Sequence, residues 1–361
     1  MRFFLKRLFH ISRRLLAFFI EKLQECFYKK SVDLHLHTTH YSPSGYNDEN
    51  IVNMLRDLNG FTFIPNYGNM GDIVIAQAEY QLFEKYRFLY DVFHGKVTRE
   101  NLVYGGGGRF VKNWSHRYAS TLPIFQQPHI KRIVILPSSF HDCSDLLKVI
   151  DKRFVIFCRE KQSYDYLLAS NTNARIYLEH DMVFFMTDDF MKTTNVRRFN
   201  FTKAYRKVSW LVPDLMERNG IKIAWFLRTD SESKTDWTRF DDIKPTLDLS
   251  ICAHSDSRDG NVCNFYTKLF FSAIDTADMI VTDRLHVGIC SMLMGKEVFL
   301  VDNSYGKVSG VYEHSMKQNS RVHFIDDVKR LSGILEQAIS ERIVRQTASL
   351  SNLMEISKVL S

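Results

Sequence analysis

The sequence predicts an α/β protein built from two successive series of parallel-strand units, and two observations carry that prediction. Short runs rich in Val, Ile, Leu and Phe recur along the chain. Each closes on a polar or glycine-bearing turn, and most are followed by a helix-length stretch, the repetition that builds a doubly wound sheet. A polar, basic stretch over residues 187–209, with Lys192, Arg197, Arg198, Lys203, Arg206 and Lys207, separates the two series and reads as an interdomain connection. The expected organisation is a basic helix over 1–30, a connecting segment over 31–60 and a first domain over 61–195. An interdomain segment over 196–219, a second domain over 220–325 and a helical tail over 326–361 follow.

Composition sets the outer bounds. With 45% hydrophobic and 25% charged residues in 361, the chain is ordinary globular material. No uninterrupted apolar run approaches about 18 to 20 residues, so no transmembrane helix is expected. The net charge of +7 is moderate. The basic stretch lacks an aromatic-interleaved platform or a binding motif, so no nucleic-acid partner is expected. Cys26, Cys143, Cys158, Cys252, Cys263 and Cys290 are scattered without a C-x-x-C pair. They read as reduced thiols of a cytoplasmic protein.

From the N-terminus, Phe4, Leu8, Ile11, Leu15, Phe18, Phe19, Leu23 and Phe27 recur at helical spacing beside Arg2, Lys6, Arg7, Arg13 and Arg14. This is the pattern of an amphipathic helix lying on an anionic surface. Peripheral attachment through residues 1–28 to the cytoplasmic face of a membrane is therefore expected. Arg13 and Arg14 interrupt the apolar region, which argues against a signal peptide. In the next segment Asp33, His35 and His37 alternate and would share one face of a strand. The stretch resembles the Asp-x-His-x-His opening of PHP-type metal phosphoesterases, and a metal-dependent phosphoesterase using these residues is an alternative reading. Residues 41–60 read as a loop and a short helix.

Phe61-Thr62-Phe63-Ile64-Pro65 is a strand running into Asn66-Tyr67-Gly68-Asn69-Met70-Gly71-Asp72, with a helix from Ile73 to Tyr86. Such a unit places ligand groups at the carboxyl edge of a parallel sheet. Gly68 and Gly71 permit close backbone approach, and Asp72 reads as a helix cap or a polar catalytic group. Asn101–Tyr104 is a strand feeding Gly105-Gly106-Gly107-Gly108-Arg109-Phe110, with Trp114 behind it. Four glycines imply a sharp bend or a loop that lets a ligand touch backbone. Ile133–Leu136 is a strand ending at Pro137-Ser138-Ser139, and Phe154–Cys158 is one ending at Arg159-Glu160, before a helix from Ser163 to Ala169. Ala174–Leu178 and Met182–Met186 are further strand candidates.

In the second series Ile221–Leu227 is a strand ending at Arg228, and Leu249–Ala253 is one ending at His254. Residues 264–275 form a helix. Met279–Val281 is a strand that runs into Thr282-Asp283-Arg284-Leu285-His286, where Thr282 or Asp283 caps the next helix. Arg284 and His286 then stand in its first turn, a cation and a titratable imidazole at a helix end that favours anions. Val298–Val301 closes on Asp302-Asn303-Ser304-Tyr305-Gly306-Lys307.

Together, the Asn66–Asp72 loop, the glycine run with Trp114, Arg159-Glu160, Thr282–His286 and Asp302–Lys307 resemble the polysaccharide pyruvyl transferase family. The pieces span about residues 61 to 315 in the family's order. The resemblance implies two Rossmann-like domains facing across a cleft, as in GT-B glycosyltransferases. It implies phosphoenolpyruvate as donor and a sugar in a glycan or lipid-linked precursor as acceptor. The product is a pyruvate ketal bridging two hydroxyls, with phosphate released. The first domain would hold the acceptor and the second the donor. In relatives the arginine and histidine of Arg-Leu-His and an arginine of the first domain serve donor binding or catalysis, which points to Arg284, His286 and Arg159. The chemistry agrees. Phosphoenolpyruvate needs at least two anion grips, one from Arg284 with its helix end and another from Arg159 or Arg228. Its methylene must be protonated while a hydroxyl is deprotonated, with His286 as acid and Asp72 as base or hydroxyl partner. Asn66, Gly68, Asn69, Gly71, Gly105, Gly106 and Gly107 are expected to contact substrate, and Asn303, Tyr305 and Lys307 to line the cleft. No metal or further cofactor is expected. A non-catalytic glycan-binding relative is the third reading.

Overall fold

The computed structural model describes residues 49–112, 115–170, 172–186, 215–237, 247–251 and 256–344. The expected helix over 1–30, Asp33, His35 and His37, Trp114, most of the interdomain segment and the end of the tail lie outside these residues. In chain order the first half contains α1 (Glu49–Arg56), β1 (Phe61–Ile64), α2 (Met70–Lys85), β2 (Tyr90–Val92), β3 (Asn101–Tyr104), β4 (Gly107–Val111), β5 (Arg132–His141), β6 (Phe154–Cys158), α3 (Lys161–Ala169) and β7 (Arg175–Leu178). The second contains β8 (Met216–Arg218), β9 (Ile221–Phe226), α4 (Gly260–Asp275), β10 (Met279–Thr282), α5 (Leu285–Leu293), β11 (Glu297–Val301), α6 (Lys307–Val311), β12 (Val322–Ile325) and a helix α7 over residues 331–344.

The first sheet is parallel with the order β2-β1-β3-β5-β6-β7, and β4 also pairs with β5. The chain steps from β1 outward to β2, then returns past β1 to β3. A ligand crevice opens at such a reversal, beyond the carboxyl ends of the two strands. Those ends carry the Asn66–Asp72 loop and the glycine run. The second sheet has the order β12-β11-β10-β9-β8, parallel except that β8 runs antiparallel to β9.

α2 explains how the halves meet. Thirteen of its sixteen residues are buried, and it presents no polar face. A helix apolar or buried on every side lies inside the protein; α2 lies between the first sheet and α4. One apolar core runs through both halves, from Ile51, Phe63 and Val74 to Phe270, Phe271 and Ile280. The Tyr80 hydroxyl donates to the Ser257 carbonyl at 2.9 Å across the same junction. Separate cores cover the outer faces, with Phe110, Phe125 and Phe154 on the first sheet. Trp225, Leu331, Leu335 and Ile339 cover the second, so α7 packs on the body.

Several expectations are corrected. Met182–Phe185 is a 3₁₀ turn capped by Asp181, not a strand. Leu249–Ile251 is likewise a 3₁₀ turn. Both are short apolar runs, for which periodicity cannot separate strand from buried turn. Gly107 and Gly108 belong to β4 rather than to a loop. β5 continues through Pro137 to His141, with its register against β6 shifting between Ile135 and Ser138. That irregularity accommodates a proline that cannot donate to the ladder. Part of the connecting segment, α1, buries Ile51, Val52 and Leu55 in the central core and belongs to the body. β2, β8 and β12 were not anticipated. No described helix is long and apolar enough to cross a membrane.

Candidate active site

The wall from the first sheet is built by the β1 loop. Asn69 caps α2, accepting from the Gly71 N–H at 2.9 Å, and Asp72 accepts from the Asn69 N–H at 3.0 Å. This reciprocal capping box sets the loop's exit angle. It places Asp72 as a cap partner that also faces the cavity. Asn66 Nδ2 donates to the carbonyls of Gly105 and Gly106 at 2.9 and 2.6 Å, tying the loop to the glycine run. The glycines are there for close approach. A Cβ on Gly71 would strike the His286 ring, and one on Gly68 would strike the Asp72 carboxylate. Gly107 has φ +132°, which side chains rarely adopt.

Arg159, at the end of β6, is completely buried. Its Nε donates to Ser139 Oγ at 2.9 Å and its Nη1 to Asp181 Oδ2 at 2.8 Å, while its Nη2 has no partner. That free edge points at the glycine run. A methyl group on Gly108 would sit 3.2 Å from Arg159 Nη2 and 3.9 Å from Lys307 Nζ. Two cations from different sheets thus converge on one spot beside open backbone.

The second wall comes from the ends of β9, β10 and β11. Asp283 is buried and accepts from the Arg228 N–H at 2.7 Å and from Ser233 Oγ at 3.2 Å. Thr282 Oγ1 accepts from the Arg284 N–H at 3.0 Å. Neither residue caps α5, as had been expected. Arg284 holds the N-cap position, with no side-chain cap bond. Its side chain turns to carboxylates: Nε donates to Asp248 at 2.9 Å and Nη2 to Asp230 at 2.7 Å. Arg228 donates to Asp230 at 2.9 Å and to Glu232. Glu232 also accepts from the Tyr305 hydroxyl at 3.3 Å and lies 3.6 Å from Lys307 Nζ. Asn303 is buried, and its Oδ1 accepts from the Lys307 N–H at 2.9 Å, which orients the start of α6.

His286 stands where the walls meet. Its Nε2 is 3.6 Å from Asp181 Oδ2 and 3.5 Å from Arg159 Nη1. Burial pushes the Asp181 carboxyl up, but His286 and Arg159 beside it more than reverse this and hold it well below the usual range. An ionised, buried carboxylate therefore backs the imidazole. Burial acts likewise on Asp230, yet its arginine partners lower it to about 2.

Glu79, on α2 behind the glycine run, is the opposite case. Burial raises its carboxyl well above the ordinary range. Its Oε1 accepts from the Gly106 N–H at 2.6 Å. Above the ordinary carboxylate range and below the raised value, the folded protein keeps a proton that the unfolded chain has released. Stability then falls as pH rises, with a slope of up to about 1.4 kcal/mol per pH unit. Glu79→Gln preserves an acceptor for Gly106 and removes the titration. The variant is expected to unfold at the same or a higher temperature at neutral pH and to lose this decline. Parallel melting-temperature profiles for the two proteins would contradict it.

The cavity measures about 200 Å³. It gathers eight of the expected residues: Asn66, Asn69, Asp72, Arg159, Arg228, Arg284, His286 and Lys307. Gly68 and Gly71 support the loop and the His286 ring from behind, and Gly105, Gly106 and Gly107 lie behind the cavity lining. Asn303 and Tyr305 act on Lys307 and Glu232 without lining it. Sequence reading quoted Tyr67, Gly108 and Arg109 only within the β1 loop and the glycine run, and it gave no role to Asp181, Asp230, Glu232 or Ile251. The last four carry no motif spacing, and Asp181 stands beside Glu179 and His180. His180 itself stacks on His314 at 4.7 Å and bonds Ser315 at 2.9 Å. Among the described residues, no three His, Cys, Asp or Glu side chains gather as a metal site. Cys143, Cys158, Cys263 and Cys290 are buried free thiols.

Comparison with known proteins adds an independent finding. The family model for polysaccharide pyruvyl transferase matches residues 69–305. General stress protein 30 of Bacillus subtilis is 24% identical over 310 residues, covering 76% of this chain and 83% of that protein. The crystal structure of a functionally uncharacterised protein from Klebsiella pneumoniae superposes with a TM-score of 0.61 at 24% identity. That match covers 77% of this chain and 97% of the other, and shows a shared fold.

Proposed function

The chain belongs to the polysaccharide pyruvyl transferase family and is a transferase, and from that premise we propose that it moves the pyruvyl group of phosphoenolpyruvate onto two hydroxyls of one sugar. The two sheet units face each other across the cavity in the GT-B manner, and the acceptor is a glycan or lipid-linked precursor. The observation that carries the reading is the spot above Gly108, where Lys307 Nζ, paired with Glu232 at 3.6 Å, converges with Arg159 Nη2, which has no partner. A buried guanidinium edge left without a partner is costly, and a dianionic phosphate or a carboxylate satisfies it with charge-assisted bonds. Arg228 and Arg284, already neutralised by Asp230, Glu232 and Asp248, hold the rest of the wall near charge balance.

In this mechanism His286 gives a proton to the methylene carbon of phosphoenolpyruvate, which becomes the methyl group. The neighbouring carbon takes the oxygen of one sugar hydroxyl, whose proton is removed. The carbon–oxygen bond to phosphate breaks, and phosphate leaves with the bonding pair and one proton. The second hydroxyl attacks the same carbon, loses its proton and closes the ketal. Two hydroxyl protons are released; phosphate takes one and the other replaces the proton spent by His286. Asp181, whose Oδ2 lies 3.6 Å from His286 Nε2, holds the ring in place, and Asp72 stands on the acceptor side as hydroxyl partner.

The test is incubation of the full chain with phosphoenolpyruvate and a panel of glycans and lipid-linked sugars. The expected result is phosphate release matched by an acceptor mass gain of one pyruvic acid less one water. Phosphate release without that gain, or no turnover on any acceptor, removes the reading. Peripheral attachment through residues 1–28 belongs to the same proposal. Co-sedimentation with anionic vesicles is expected to be lost on deleting those residues, and unchanged sedimentation overturns it.

A further inference from the structure

A phosphorylated donor accounts for Arg159 and Lys307 at the cavity floor, but not for the cavity's rim. Tyr67 is 59% exposed and Ile251 is 47% exposed, and both line the cavity. They come from opposite halves, Tyr67 from the loop after β1 and Ile251 from the turn Leu249–Ile251. Large open apolar groups at a pocket mouth mark a binding surface when they are gathered there. Tyr67 is also held. The Arg109 guanidinium lies 4.2 Å from its ring centroid, which fixes the ring by cation–π attraction and covers one face. Arg109 is 8% exposed, its Nη1 donates to the Tyr104 hydroxyl at 3.2 Å, and its Nη2 is buried without a partner.

We propose that Tyr67 and Arg109 form the acceptor-sugar subsite: the C–H face of a hexopyranose ring stacks on Tyr67, and Arg109 Nη2 donates to a sugar oxygen. Ile251 closes the opposite edge. A pyranose offers apolar C–H patches on its faces and oxygens around its edge. That match requires an aromatic platform with a polar group beside it. An inorganic anion would satisfy Arg109 but leave Tyr67 and Ile251 in water. Gly108, Arg109, Arg159 and Lys307 line the same cavity, so a sugar on this platform shares it with the spot where Arg159 and Lys307 converge. The subsite rests on the pyruvyl-transfer reading for its role as acceptor site, although the stacking itself does not.

The experiment measures sugar binding without turnover. Methyl pyranosides of glucose, galactose, mannose and N-acetylglucosamine are tested against the full chain by saturation-transfer NMR, without donor. A separate arm follows phosphoenolpyruvate by its phosphorus signal. At least one pyranoside is expected to bind wild type and Tyr67→Phe alike and to bind Tyr67→Ala about tenfold more weakly. Arg109→Gln is expected to weaken it as well, and the phosphoenolpyruvate signal is expected to respond alike with wild type and Tyr67→Ala. Absence of pyranoside binding to wild type, unchanged binding to Tyr67→Ala or Arg109→Gln, or loss of phosphoenolpyruvate binding in Tyr67→Ala overturns the proposal. Pyranoside binding through Tyr67 with no response from phosphoenolpyruvate would retire the donor reading and leave the subsite standing.

Discussion

Replacing His286 with alanine is expected to slow phosphate release from phosphoenolpyruvate by roughly 10² to 10⁴-fold at saturating donor and acceptor. The expectation follows from the placement of the ring. Its Nε2 side faces Asp181 and Arg159, and its Nδ1 side rests over Gly71, where no side chain intervenes. The ring lines the cavity and sits beside the cations that would fix a phosphate. Water can fill the space the ring leaves, so the fold is expected to survive, with a melting temperature close to wild type. Asp181→Asn removes the carboxylate that lies 3.6 Å from His286 Nε2 and accepts from Arg159 Nη1 at 2.8 Å, and its rate is expected to fall as well. A His286→Ala protein with wild-type turnover and wild-type stability would eliminate His286 as the proton donor.

The second large effect is expected at Arg159, where stability and donor binding separate by choice of substituent. Arg159→Ala leaves Asp181 and Glu160 buried without their cation. Breaking a buried pair from one side costs roughly 3–5 kcal/mol, so this variant is expected to unfold at clearly lower denaturant. Arg159→Lys keeps a charge near Asp181 but removes the planar edge that ends in Nη2. An ammonium cannot reproduce that fork. The lysine variant is expected to retain most of the stability and to raise the donor KM by about tenfold or more, the worth of one charge-assisted bond. A lysine variant with unchanged donor KM would show that the free edge above Gly108 does not hold the donor.

Much of the fold was legible because its signals are local. Phe61–Ile64, Asn101–Tyr104, Phe154–Cys158 and Met279–Thr282 are buried parallel strands, so they read as continuous apolar runs. Glycine, proline or a charged residue follows each run. The strand ends therefore located Arg159, Arg228 and the Arg284–His286 pair. The same locality explains the misses. Met182–Phe185 and Leu249–Ile251 carry the apolar residues of a strand, and only their tertiary surroundings, the central core for the first and the cavity rim for the second, make them turns. The glycine run read as a loop because nothing in it shows that β5 lies alongside to pair with β4.

By itself the sequence determined the α/β class, the carboxyl-edge positions of the chemical groups and the family they resemble. Those properties follow from hydrophobic spacing and turn chemistry within a few residues. Tertiary structure decided which groups work together. Arg284 finds Asp248, 36 residues away, and Asp230, 54 away. His286 finds Asp181 across the junction of the two sheets. Arg159 keeps one edge free while Arg284, equally cationic in the sequence, is met by carboxylates. Desolvation supplies the reason. Inside the shared core each charge must be paired at contact distance, and contact distance is set by packing between elements that sequence spacing does not relate.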